Sequence, residues 1–186
     1  MKMLRILGLC VLSLGFLAGG AMAQDKAAKQ AEVIKKTQAT MERFYAKKPE
    51  LKAAVANAPG YAVFTTYGIS FGIGGGGGTG VVHDNKTKHN TFMSVGGASI
   101  GFQLGASQTE LLIIFKTVGA MNKFIESGWA GGASATASAG ASGATAGGGR
   151  EAAAGDAAEV YTLTKTGLEA GLAVGGSKFW KDKDLN

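Results

Sequence analysis

Cysteine is nearly absent. The 186-residue chain has one, Cys10, and it lies in the apolar N-terminal stretch. Thiol catalysis and Cys-based metal sites are thereby excluded for everything downstream, and a core of this size forms without disulfides. Histidine is almost as scarce. His83 and His89 are the full complement, and with Asp84 they make the one candidate metal or acid–base cluster. They sit at a strand end and in a polar loop without a third clear ligand, whereas structural zinc sites use four. The reading is a solvated hairpin tip. No Ser–His–Asp order carries a local signature. Gly-Lys-Ser/Thr is missing, which removes a P-loop. Gly72 to Gly77 formally matches G-x-G-x-x-G, but Val81-Val82 follows instead of the helix that a dinucleotide site needs. The expectation is a non-enzymatic protein with no catalytic residue, no metal, no cofactor, no nucleotide and no nucleic acid.

The N-terminus is distinctive. Met1 to Arg5 carries two positive charges, Ile6 to Ala18 is apolar, and Ala21-Met22-Ala23 is a small-x-small cleavage site. This is the three-part pattern of a secretory signal peptide. The rival is a membrane-spanning helix, but the run falls short of the ~20 residues required and contains Gly8, Gly15, Gly19 and Gly20. Cys10 lies inside the apolar core after the bulky Leu9, which argues against a lipoprotein. The expectation is cleavage after Ala23 and export to a bacterial periplasm. Residues 24–186 then suit one domain.

Charge is unevenly spread. Residues 24–52 hold eight Lys/Arg and four Asp/Glu, while residues 53–186 hold nine of each. The excess marks an anionic partner, and for an exported chain that means a membrane surface before nucleic acid. Gln24 to Lys48 has helical spacing. Val33, Ile34, Thr37, Met41, Phe44 and Tyr45 share a stripe, and Lys29, Lys36, Arg43 and Lys47 form a ridge along one edge of it. The ordinary reading is a surface helix packed on a sheet with solvated lysines. The sharper one is a basic helix that meets lipid head groups. Both hold if the stripe faces the sheet and the ridge faces the membrane.

A second short helix is expected over Pro49 to Ala56, with Pro49 in its first turn, closing the helical segment 24–57. Tyr61 to Tyr67 reads as a strand, and Ile69 to Ile73 alternates again. Gly74 to Gly78 reads as a bent or flexible link between strands. Gly80 to Asp84 and Thr91 onward flank a polar hairpin loop. In Thr91 to Phe115, Phe92, Ser94 and their period-two partners form a crowded face, and Met93, Val95 and theirs a nearly bare one. Ser107-Gln108-Thr109 is read as a turn. Leu111 to Phe115 suits a strand buried on both faces. Residues 118–127 are a helix stopped by Gly128. Residues 142–156, rich in Gly, Ala and Ser, read as a mobile loop. Glu159 to Thr164 and Leu168 to Ser177 are strands, Phe179-Trp180 closes the core, and Lys181 to Asn186 is a charged tail. The fold class is α+β. A single mainly antiparallel, strongly curved sheet, open barrel or sandwich carries an N-terminal amphipathic helix and a second helix near residues 118–127.

Several stretches together are similar to one family. Pro59-Gly60-Tyr61-Ala62-Val63-Phe64, and Gly76 to Gly80 running into Val81-Val82-His83-Asp84, resemble the SYLF-domain family. So do Gly101-Phe102-Gln103-Leu104-Gly105 with Thr109 to Phe115, the helix Ala120 to Phe124, Gly128-Trp129, and the small-residue run ending in Gly149-Arg150. The resemblance covers about Ala58 to Trp180 and rests on order and spacing, not on one motif. It implies lipid binding through a basic surface and an amphipathic helix ahead of the domain. Here that helix corresponds to the stretch bearing Lys29, Lys36, Arg43 and Lys47. Some relatives carry an SH3 domain and engage actin. This chain has no SH3 domain, so actin is not carried over.

The expected function is periplasmic lipid binding, with anionic phospholipid or a membrane surface as partner. Four cations at an anionic surface give a dissociation constant near only ~1 mM. Useful affinity then needs inserted aromatics or an apolar pocket. Phe71, Phe92, Phe102, Phe115 and Trp180 are candidates to line one, although core packing suits each of them. The alternative is a structural or interaction protein of the envelope that binds another protein or the cell wall.

Overall fold

Tyr61 to Tyr67 is β-branched and aromatic, a composition that fits a pleated surface covered on both sides. It forms the middle of strand β1 (Gly60–Phe71) at the centre of the molecule. The computed structural model describes residues 7–71, 73–97, 105–128, 157–164, 167–170 and 177–186. In chain order they form α1 (Leu7–Lys47), α2 (Leu51–Asn57), β1, β2 (Ile73–Asp84), β3 (Asn90–Gly97), β4 (Gly105–Phe115), α3 (Val118–Ser127), β5 (Ala158–Thr164), β6 (Gly167–Ala170) and β7 (Ser177–Lys181). The strands make one open antiparallel sheet in the order β6-β5-β4-β1-β2-β3-β7. The α+β class and the mainly antiparallel sheet are as the sequence predicts. Residues 98–104, 129–156 and 171–176 lie outside the described residues. So do the loop expected at 142–156 and part of the strand expected over Leu168 to Ser177.

β1 pairs along its length with both neighbours, Gly60↔Asp84 to Phe71↔Ile73 on one side and Gly60↔Phe115 to Ser70↔Gly105 on the other. Its side chains alternate between two cores. Ala62 and Phe64 join Leu111, Ile113 and Phe115 under α3. Val63 joins Leu112, Ile114 and Tyr161 under α1 and α2. The run Leu111 to Phe115 is buried throughout, as a strand covered on both faces must be. On the α3 side four phenylalanines meet. Phe124 lies 6.1 Å from Phe64, 5.4 Å from Phe115 and 5.5 Å from Phe179 between ring centroids. The Thr117 hydroxyl accepts from Ala120 N at 3.1 Å to start α3. Gly128 ends it at φ 63°, where an added Cβ would strike the Phe179 carbonyl.

Five expectations for the strands and the C-terminal tail change. Gly74 to Gly78 is not a link but the interior of β2, paired on one side with β1 and on the other, at Gly76 to Gly78, with β3. Backbone pairing on both sides offsets the weak strand preference of glycine, and at two positions of β2 the missing side chain is required. A Cβ at Gly78 would fall on the Thr65 carbonyl, and one at Gly80 on the Phe64 ring and the Val63 carbonyl. Ser107 to Thr109 is not a turn, because β4 must match β1 as far as Gly105. The Thr66 hydroxyl donates to the Thr109 carbonyl at 2.9 Å within that pairing. The face of β3 expected to be bare carries Met93 and Val95 into the larger core, while Phe92 packs with Val33, Val81 and Leu185 on the other. Of Phe179 and Trp180 only Phe179 is buried, since adjacent strand residues point to opposite faces. Finally, the charged tail is docked. Leu185 is buried, Asp182 N donates to the Phe92 carbonyl at 3.0 Å, and Gln30 of α1 donates to the Leu185 carbonyl at 2.7 Å.

The helices fall close to their expected places. α1 ends at Lys47 and runs unbroken through the Ala23–Gln24 junction. Pro49 lies in the turn ahead of α2, not in its first turn, and α2 begins at Leu51. The glycine pattern makes a test. Gly80→Ala should destabilise the protein by about 3 kcal/mol through overpacking. Gly75→Ala, whose Cβ would meet only the Gly97 carbonyl at 3.9 Å, should stay within about 0.5 kcal/mol of the wild type. Urea unfolding of the two variants measures both.

Candidate functional site

The apolar stripe of α1 determines where its basic ridge can point. Val33 packs on Val81 and Phe92, and Phe44 and Met41 pack over β1, β4 and β5. Between them the Thr40 and Thr65 hydroxyls meet at 3.3 Å. α1 therefore crosses one face of the sheet from the β3 side to the β4 side. Lys29, Lys36, Arg43 and Lys47, spaced 7, 7 and 4, run along one flank of that buried stripe.

The four cations are not equivalent. Lys29 donates to Asp25 at 2.7 Å, and Lys36 pairs with Glu32 at 2.7 Å, each one turn back on the same helix. These carboxylate hydrogen bonds hold both ammoniums above the usual lysine range. Both pairs are exposed and screened by salt, so another anion can displace them. Lys47 is exposed in the last turn of α1 and has no ion-pair partner among the described residues. Arg43 is different. Its Nε donates to Glu110 Oε2 at 2.9 Å and its second nitrogen reaches Glu110 Oε1 and the Thr40 hydroxyl, the latter at 3.0 Å. The Glu110 side chain is 5% exposed and that of Arg43 48%. The hydrogen bond to Glu110 raises the guanidinium further above its ordinary value. Gln108 Nε2 adds a 3.0 Å bond to the same carboxylate.

Glu110 was the readable clue to this pairing. It is an acid beside a run buried on both faces, where a carboxylate needs a cation. Arg43 supplies it, so Arg43 ties α1 to β4 whatever else it does. Two exposed aromatics also escape the sequence pattern. Tyr67 is 51% exposed and Trp180 43%, and both fall on the face of the sheet that α1 crosses. Of the residues proposed to line an apolar pocket, Phe92 and Phe115 are core residues, Phe102 lies outside the described residues, and the side chain of Phe71 is undescribed.

The hairpin tip has local structural work. His83 Nδ1 lies 2.6 Å from Asn90 Oδ1, and its ring lies 5.3 Å from that of Tyr61. The Asp84 carboxylate accepts from the backbone N–H groups of Thr87, at 2.9 Å, and Lys86, at 2.8 Å, which lowers its pKa and closes the loop.

Comparison with known proteins points to one family. Residues 96–186 match the family model described as Ysc84, Las17-binding protein actin regulator, the SYLF domain. That stretch is similar to the SYLF domain. It is also 28% identical over 166 residues to Beta cell expansion factor A of Aeromonas veronii, across 88% of this chain and 62% of that protein. The chain thus spans less than two thirds of that relative's length. The matched SYLF region starts inside β3, but the fold does not divide there, because β4 depends on β1 for its inner neighbour. The names of the SYLF relatives describe a regulator and an expansion factor, not an enzyme.

Arg43→Ala should lower stability by about 2 kcal/mol, by leaving Glu110 buried without its cation. Arg43→Met with Glu110→Leu should recover most of that loss. Denaturant melts of the single and double variants decide it. A double variant no more stable than Arg43→Ala would mean that the ion pair does not anchor α1.

Proposed function

We propose that this SYLF-like protein is a non-enzymatic lipid-binding protein of the bacterial periplasm, reaching it once residues 1–23 are removed. It contacts anionic phospholipid through Lys29, Lys36 and Lys47, with the exposed part of Arg43 alongside them. One observation carries the reading. The apolar stripe of α1 is already used on the sheet, so the helix offers a partner its charged flank. The excess of Lys/Arg over Asp/Glu in residues 24–52 supplies the attraction. The contact is peripheral and salt-sensitive. A role in binding an envelope protein is the second reading, favoured by the matched family's description, which names a protein partner.

Vesicle flotation separates the two readings. The processed protein should float with phosphatidylglycerol vesicles at low salt, stay behind with neutral ones, and dissociate at high salt. Reversing Lys29, Lys36 and Lys47 to Glu should weaken binding by roughly a hundredfold or more. Arg43 is left out because its loss acts on stability. Failure to bind any vesicle would remove the lipid reading, and undiminished binding of the triple variant would remove the ridge.

A further inference from the structure

The basic ridge supplies charge but no apolar contact, and charge alone gives weak binding. Tyr67 and Trp180 stand on the same face of the sheet as that ridge. The register carries Tyr67↔Gly77↔Gly96↔Lys178 along one row of that face and Thr65↔Thr79↔Ser94↔Trp180 along the next. Trp180 leans back over Gly96, where an added Cβ would lie 3.1 Å from its ring. The row of Tyr67 holds Gly77 and Gly96, so among the described residues no side chain of that row stands between its ring and Lys178. β1 and β7 are three strand spacings apart, roughly 14 Å at the backbone. α1 borders this surface, and Lys36 and Arg43 both lie within electrostatic reach of Tyr67. Lys178 stands exposed two residues before Trp180, on the same face.

Tyr and Trp favour the head-group level of a bilayer, with an apolar ring body below and a polar tip in water. Cations beside them meet anionic head groups at the same depth. We infer that Tyr67 and Trp180 are the apolar anchors that seat this face of the sheet on an anionic phospholipid monolayer, with Lys36 and Lys178 beside them. This rests on the lipid-binding reading above and adds the part of the sheet that enters the membrane interface. The positive charge around the rings selects an anionic lipid surface over a neutral apolar partner.

The chain has two tryptophans, so Trp129→Phe leaves Trp180 as the reporter. With phosphatidylglycerol vesicles its emission should shift to the blue and be quenched by lipids brominated on the acyl chain. In the otherwise native chain, Tyr67→Ser with Trp180→Ser should lose roughly tenfold in vesicle partition with an unchanged thermal melt. Gly75→Asp, which puts a carboxylate on the same face where a Cβ has room, should also weaken binding. If the wild type floats while Trp180 stays unshifted and unquenched and the serine variant binds normally, the anchors are overturned and the ridge alone remains. If the wild type does not float at all, the lipid reading and the anchors fall together.

Discussion

Everything in this fold depends on the fit between Phe64 and the glycines of β2. The ring fills the space where Gly80 would place a side chain, and the backbone of β1 closes over Gly78. Because those positions are bare, β1 can be hydrogen-bonded on both edges and still hold a large aromatic ring on its inner face. That ring leads into the phenylalanine cluster, which fastens α3 and β7 to the sheet. The opposite face of β1 then presents Val63 and Thr65 to α1. The two sides of the molecule are thus built from one strand.

Elements whose pattern stands on local chemistry were legible in the sequence. The stripe of α1, the 118–127 span of α3 with its Gly128 stop, the polar hairpin at residues 85–90 and the doubly buried Leu111 to Phe115 all follow from period, capping or turn residues. What local chemistry does not carry was missed. A glycine run has no periodicity of its own, so only its partners β1 and β3 make it a strand. Ser107 to Thr109 is turn-like in composition, but the length of β1 extends it. Leu185 looks like part of a charged tail until Val33 and Phe92 give it a cavity to fill.

The candidate site was half legible for the same reason. Spacing alone placed Lys29, Lys36, Arg43 and Lys47 on one flank of a helix. It could not show that Glu110 holds Arg43, since that contact joins residues far apart in sequence. Nor could it separate Phe179 from Trp180, because which of two neighbours faces the core depends on the register with β3.

In this account α1 is a docked helix that meets lipid without leaving the sheet. Its stripe, the Thr40–Thr65 contact and the Arg43–Glu110 pair hold one side while the lysines stay exposed on the other. Hydrogen–deuterium exchange of residues 24–186 with and without anionic vesicles tests this most directly. The account predicts slower exchange in residues 29–47 and at the Tyr67 and Trp180 ends of β1 and β7, with residues 111–115 unchanged. Faster exchange in residues 60–66 and 108–115 on adding vesicles would mean that α1 lifts off the sheet to bind, and would contradict it.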